Sequence, residues 1–439
     1  MEMRNEEQRL TAGSVRLPEK MRKCRGFLSA LANFPWIFDR ERETFFTFAF
    51  PCPRAGASSF VSIMKITVSS STLYQRLQML NHVVPTKTTI PMLQHVLFEV
   101  EGTRLRLTAY DEEIALFTII DLDASEEDGR VAIRPSYLLG LLREMGDQPV
   151  TLEVDMRSYR AQFTYQNGHS NFTAVEAQAY PVPAAMEGDF RQGHLPAAQL
   201  LKGLNLTMFA TSDDKSRPAM GGIHFDLADP ELPGLTLVAS DGHKLIRYHT
   251  DLASISDPVA FTLPKRPMKL LKDILAKETE EVDLRCNASS AEFRMQEYTL
   301  FCQLLNKPYP KYRSVIPSDN PYHALVDREA LQSALRRIVV YADETSTLLR
   351  LRIGDNDLTV SAENLDYSIS AEEHVRCDYN GAPMVIGFKG FFLIDILGTL
   401  SVQEVVLQLA DPTRAGLIVP AEQEEHESIL MLLMPMMVN

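Results

Sequence analysis

The sequence predicts an α+β protein built from three copies of one domain, and three recurring landmarks carry that prediction. The first is a short strand and turn: LRLTAYDEE ending at Glu113, LTLVASDGH ending at His243 and LTVSAENLD ending at Asp366. Its alanines, Ala109, Ala239 and Ala362, are offset by 130 and then 123 residues. The second is a strand running into a helix: VAIRPSYLLGLL, AFTLPKRPMKLL and VIGFKGFFLIDIL. Its matching positions, Ile133, Leu263 and Ile386, repeat the same two offsets, 130 and 123. The third is AYP at Tyr180 and PYP at Tyr309, 129 residues apart. Unrelated landmarks with one spacing imply a tandem repeat of about 125 residues, an ordinary domain size.

Each copy begins with an amphipathic helix. In the first copy MKITV opens as a short alternating strand at Met64, Ser-rich residues supply a cap, and Leu73, Leu77 and Leu80 form one apolar face. The first helices are predicted at Leu73–Asn81, Ala197–Leu204 and Arg328–Ile338. Alternating strands follow, then second helices at Pro135–Met145, Pro267–Lys277 and Phe391–Leu400, then closing strands. Short strands of alternating polarity imply antiparallel sheets with one wet face. Two helices per copy would cover the other face. The domains are expected at 64–185, 190–312 and 316–439.

Residues 1–63 differ from this body. They hold the only tryptophan, Trp36, and two of the five cysteines, Cys24 and Cys52, and show no sustained period. Two readings are open, a docking arm or a start assigned upstream of the natural one at Met64. The second is favoured, and poor order is expected. The stretch Phe27–Phe38 follows basic residues, but Asn33 and Pro35 interrupt it, so it is not read as a secretion signal.

The 439 residues are 45% hydrophobic and 23% charged, in the range of folded globular chains. No apolar run reaches the roughly 18–20 residues of a membrane span. The five cysteines form no CxxC pair, so reduced thiols in a cytoplasmic protein are expected, with no metal and no cofactor. The net charge of -14 argues against a uniformly basic nucleic-acid binder. Yet Arg76, Arg143, Lys202, Lys269, Lys272, Arg336 and Arg337 lie on or beside the predicted helices, while acidic runs fall at 121–128, 277–283 and 421–427. A basic helix layer with acidic loops elsewhere is the organisation this favours.

Taken together, these features resemble the bacterial DNA polymerase III beta subunit, the sliding-clamp family. The resemblance runs from Met64 to Asn439. It rests on MKITV, TTIPMLQHVLFEV at 88–100, RPAMGGIHF at 217–225, ASDGHKL at 239–245, LPKR at 263–266, NKPYPKY at 306–312 and LMPM at 433–436. It implies a head-to-tail homodimer forming a closed ring, with sheets outside and helices lining a hole for duplex DNA. It implies no catalytic residue, and partners that include the replicative polymerase and the clamp loader. The alternative carried alongside is a three-domain interaction scaffold that does not encircle DNA.

The resemblance also assigns sites. Phosphate contacts would come from Lys87, Lys202, Lys215, Arg217 and Arg336. The aromatics that related clamps carry after Arg217 are here Pro218 and Ala219. A partner-peptide groove would use Arg217, Met220, Ser240, Gly242, His243, Lys244, Leu245, Pro264 and Met268 of the second domain. The third domain would add Lys389, Phe392, Thr413, Ala415, Leu432, Leu433, Met434, Pro435 and Met436. A methionine-rich groove suits several partners, because the thioether side chain is flexible and polarizable. Lys389 and Phe392 replace a familiar asparagine and tyrosine, so the preferred peptide would differ accordingly. Phe172 would meet Val340 and Tyr341 across the dimer seam. Asp241–Gly242–His243 could in principle be a hydrolytic pair, but a glycine after a strand reads as a turn, and no nucleophile motif accompanies it.

Overall fold

A computed structural model describes residues 62–183, 189–277 and 280–438. Of the leading extension only Ser62 and Ile63 fall within them. Trp36, Cys24, Cys52 and Phe27–Phe38 lie outside, as do residues 278 and 279 of the second acidic run. The first copy comprises β1 (Ile63–Ser69), α1 (Ser70–Asn81), β2 (Val96–Glu101), β3 (Arg104–Tyr110), β4 (Ile114–Asp121), β5 (Ala124–Glu126), β6 (Gly129–Ile133), α2 (Ser136–Arg143), β7 (Pro149–Asp155), β8 (Arg160–Tyr165) and β9 (Gly168–Thr173). After the two-residue β10 (Val175–Glu176), the second repeats the order: β11 (Arg191–Pro196), α3 (Ala197–Thr207), β12 (Gly222–Asp226), β13 (Leu235–Ser240), β14 (Lys244–Thr250), β15 (Ser254–Ile255), β16 (Ala260–Pro264), α4 (Lys265–Leu275), β17 (Glu281–Cys286), β18 (Ser290–Arg294) and β19 (Tyr298–Gln303). The third has β20 (Tyr322–Asp327), α5 (Arg328–Ile338), β21 (Leu348–Gly354), β22 (Asp357–Asn364), β23 (Ile369–Tyr379), β24 (Met384–Lys389), α6 (Gly390–Thr399), β25 (Glu404–Leu409), β26 (Gly416–Pro420) and β27 (Glu427–Leu433). All six helices fall where the hydrophobic spacing placed them.

The helices form because each carries one apolar stripe. Helix α1 buries Leu73, Leu77 and Leu80, α3 buries Leu200, Leu204 and Thr207, and α5 buries Leu331, Leu335 and Ile338. The spacing is four and then three residues in every copy, the signature of one helix face. Full burial of each leucine contributes about 2 kcal/mol. Ser69 caps α1, its hydroxyl accepting the Thr72 N–H at 3.3 Å, and Asp327 caps α5 through the Ala330 N–H at 2.7 Å. Gly203 lets α3 approach its sheet, since a Cβ there would stand 2.5 Å from Tyr248 and 2.6 Å from Leu237. Helices pack in pairs within each copy, α1 on α2, α3 on α4 and α5 on α6.

All strand pairings are antiparallel, and the buried residues alternate, as Val150, Leu152 and Val154 do in β7. The sheets do not stop at the copies. Strand β4 pairs with β19, from Ile114 opposite Cys302 to Thr118 opposite Tyr298. Strand β14 pairs with β27, from Lys244 opposite Leu433 to Thr250 opposite Glu427. Each internal junction is therefore a continuous sheet. The AYP and PYP landmarks mark the connecting segments, which lie on the sheet face away from the helices. Tyr180 packs on Leu97, Ala132 and Ala177, while Tyr309 and Tyr312 pack with Val238, Leu245 and Leu432.

Side chains clasp both junctions. Arg76 of α1 pairs with Glu297 in the β18–β19 turn, and its guanidinium lies 5.1 Å from the Tyr298 ring centroid. Arg266 pairs with Asp111 and also donates to the Val83 carbonyl at 3.0 Å. Lys202 of α3 reaches Glu424 before β27 at 2.7 Å and Glu427, the first residue of β27, at 2.6 Å. Cys286, Cys302 and Cys377 are free thiols and buried.

Candidate partner groove and nucleic-acid face

The β13–β14 turn is organised by one carboxylate. Asp241 accepts the backbone N–H groups of His243 and Lys244, each at 2.9 Å, and the Lys244 ammonium at 2.5 Å. Burial raises the Asp241 carboxyl, but these three donors outweigh it and hold it below its ordinary value. Gly242 sits at φ 91°, a conformation a side chain resists, and a Cβ there would meet Arg217 Nη1 at 2.5 Å. Asp241 thus binds backbone and Lys244 instead of orienting the His243 ring, which removes the basis for a hydrolytic pair. Ser240 completes the turn, donating to the Lys244 carbonyl at 2.8 Å and accepting the Gly242 N–H at 3.1 Å.

The C-terminal arm runs across this turn to the third copy. Met434 N–H donates to the His243 carbonyl at 2.9 Å, and Met436 N–H donates to the Gly387 carbonyl at 2.8 Å. Met434 and Met437 stay exposed, at 44% and 77%. Beside the arm, the Phe392 ring receives the Lys244 ammonium at 4.0 Å and the Lys389 ammonium at 5.0 Å from its centroid, and the His243 ring lies 6.2 Å away. Lys244, Lys389 and His243 therefore meet around the Phe392 ring, and the backbone of the arm is tied to the same two segments through His243 and Gly387. Thr413 is exposed in the β25–β26 turn, bonded to Asp411.

The other groove assignments divide. Leu245, Leu432 and Ala415 cluster on the outer face of the sheet, under the connecting segment. Leu433 is fully buried among core residues on the helix side. Met268 is a correction: α4 turns it wholly into the core, so it offers a ligand no surface. Pro264 ends β16 opposite Gly222, on the Met220 side. The wall beside Leu245 and Leu432 comes instead from Tyr309, Tyr312 and Ile316. These were overlooked, although the PYP landmark had already marked the segment. It is pinned by Arg313, which pairs with Asp226 at 2.8 Å and Asp229 at 2.6 Å, and by Tyr309 stacking on His224 at 4.5 Å.

Of the expected phosphate contacts, Lys87 is exposed after α1, Lys215 and Arg217 are exposed after α3, and Arg336 is exposed on α5. The first two loops are repeat equivalents, each running into a 3-10 turn, Pro91–Gln94 and Pro218–Met220. Lys202 is a second correction, since its two carboxylate partners at the junction neutralise it. Arg76 is likewise committed to Glu297, and Arg337 to Glu373. No group of His, Cys, Asp and Glu among the described residues is arranged to hold a metal ion, and none of their helices is long and apolar enough to cross a membrane.

At one end of the chain Phe172 of β9 packs against Tyr137, ring centroids 5.6 Å apart. At the other, Val340 and Tyr341 are exposed at 74% and 41%. Leu365, Tyr367 and Ile369 are also exposed at that end, and pattern reading did not find them. Strand β9 is the outer strand of its sheet, and the Ile369–Glu373 half of β23 is paired on one side alone.

The DNA polymerase III beta subunit family matches in three consecutive parts, its N-terminal domain over residues 64–184, its central domain over 194–311 and its C-terminal domain over 313–436. The beta sliding clamp of Pseudomonas aeruginosa is 27% identical over 372 residues, covering 84% of this chain and 99% of its own. That of Haemophilus influenzae is 26% identical over 372 residues, with the same coverage. Among solved structures, the Bartonella birtlesii DnaN sliding clamp, bound to griselimycin, superposes with a TM-score of 0.78 at 26% identity, covering 86% of this chain and all of that one. The Thermotoga maritima beta subunit shares the fold, with a TM-score of 0.75 at 20% identity over 86% of this chain and 100% of its own.

Proposed function

The chain belongs to the DNA polymerase III beta subunit family, and on that premise we propose that it is a sliding clamp: a non-catalytic ring that encircles duplex DNA and tethers the replicative polymerase. The observation that carries the ring is the pairing rule at the two internal junctions. In each, the strand after the first-landmark turn (β4, β14) pairs with the last strand of the next copy (β19, β27). The third copy's equivalent strand is β23, and the first copy's last strand is β9. Both keep unpaired edges, flanked by exposed apolar residues. A second chain satisfies both edges at once, with Phe172 opposite Ile369 if the register of the first junction holds. Val340, Tyr341 and Tyr367 line that seam. The arrangement closes as a two-fold head-to-tail ring.

The clamp reading also accounts for the charge. An acidic body repels phosphate except where Lys87, Lys215, Arg217 and Arg336 stand free of buried partners. Such contacts are sequence-independent and weaken with salt, which suits sliding. Topology keeps the ring on DNA. The groove around Phe392 and the arm binds peptides of the polymerase and the clamp loader. Native mass spectrometry tests the ring: a species at twice 49.5 kDa is expected, and a monomer at micromolar concentration would contradict closure. Longer primer-extension products when chain and clamp loader are supplied to the polymerase test the tether.

A further inference from the structure

We propose that the groove carries a subsite for a carboxylate, at Lys389 beside Phe392, so that this chain selects partner peptides with an acidic residue at the position meeting that ring. The inference deepens the groove reading and rests on it. Two ammonium groups lie within 5.0 Å of the Phe392 centroid. Attraction to the ring face stabilises each of them but neutralises neither. Their surroundings differ. The Lys244 side chain is 7% exposed and bound to Asp241 at 2.5 Å. Asp395 on α6 also faces it, from beside Arg336. Its charge is satisfied inside the protein. Lys389 is part-exposed at the end of β24 and has no carboxylate partner among the described residues.

The position of that free charge matters. Lys389 lies two residues beyond Gly387, whose carbonyl holds Met436 of the arm. A peptide laid along Met434–Met436 would therefore bring one side chain to Phe392 and Lys389 together. Leaving an ammonium desolvated there without a partner costs free energy, and a peptide carboxylate removes that cost with a charge-assisted hydrogen bond. A neutral amide can accept from the same ammonium but supplies no opposite charge. A lysine in the peptide would add repulsion. Arg217, another exposed cation of the groove, pairs with Asp214 at 3.7 Å, and the Lys389 variants separate its effect from this one.

The test is a positional scan. Nonapeptides with two fixed apolar anchors carry Gln, Glu or Lys at each remaining position in turn, and bind the full chain in fluorescence anisotropy. At one position Glu is expected to bind about three- to fivefold more tightly than Gln, the scale of a single part-exposed ion pair. The preference should shrink between about 50 and about 500 mM NaCl, as screening demands. Lys389→Gln should abolish it, so that the Glu and Gln peptides bind alike, and Lys389→Glu should reverse it in favour of the Lys peptide. If Gln binds as well as Glu at every position, or the preference survives Lys389→Gln, the subsite is wrong while the groove stands. If no peptide binds, or binding is indifferent to deletion of Met434–Asn439, the groove reading fails and takes the subsite with it.

Discussion

Arg313→Ala should loosen the segment that walls the groove, and the structure gives the size of the effect. The Arg313 guanidinium lies 2.8 Å from Asp226 and 2.6 Å from Asp229, whose side chains are 9% and 2% exposed. Each aspartate keeps one backbone donor, Ala228 N–H at 3.1 Å and Glu231 N–H at 2.9 Å, and Asp226 keeps the Tyr312 hydroxyl at 2.8 Å. Breaking a fully buried pair costs about 3–5 kcal/mol. Arg313 itself is 46% exposed, so screening reduces the loss to about 2 kcal/mol. For a domain of this size that lowers Tm by roughly 5–10 °C. Calorimetry, with hydrogen exchange over residues 309–316, reads the outcome. An unchanged Tm, with exchange over 309–316 equal to the parent, would refute the pin.

Three further outcomes follow. Deleting Met434–Asn439 should weaken polymerase-peptide binding at least about tenfold while leaving the dimer in native mass spectra, because the arm's bonds to His243 and Gly387 lie beyond β27. Loss of the dimer instead would mean the groove is misplaced. Burial holds His224 down from 6.5 to about 4, so below 6.5 the unfolded chain gains a proton that the folded chain refuses. Stability should fall by about 2–3 kcal/mol as pH drops from 6.5 towards 4, and His224→Gln should flatten that slope in pH-resolved urea titrations. Ile369→Asp should weaken the dimer by about 2 kcal/mol or more, about thirtyfold in Kd by sedimentation, with peptide binding intact.

The repeat was legible because it is periodic. Leu73, Leu200 and Leu331 stand at equivalent helix positions, and buried Ala109, Ala239 and Ala362 mark equivalent strands. The basic loops at Lys87 and Lys215 entered through the family resemblance, and their equivalence emerges only from the 3-10 turns that follow them. What stayed hidden was partnership across long separations. Lys202 looked like any helix lysine until Glu424 and Glu427 came beside it, and Arg76 until Glu297 did. Met268 entered the groove set by matching a family position, which says nothing of side-chain direction, whereas α4 turns it inward. Tyr137, Leu365, Tyr367 and Ile369 gave no local signal, since an exposed apolar residue is recognised only once its neighbours are placed.

Encirclement is the central claim, and DNA topology tests it most directly. The full chain is loaded by its clamp loader onto a nicked circular plasmid, isolated by gel filtration, and the plasmid is then cut once. The protein is expected to stay with the circle through a high-salt wash and to leave within minutes of cutting, because no contact stronger than screened phosphate attraction holds it. Equal retention on the circle and on the cut DNA would contradict the ring and return the chain to a scaffold that binds DNA from one side.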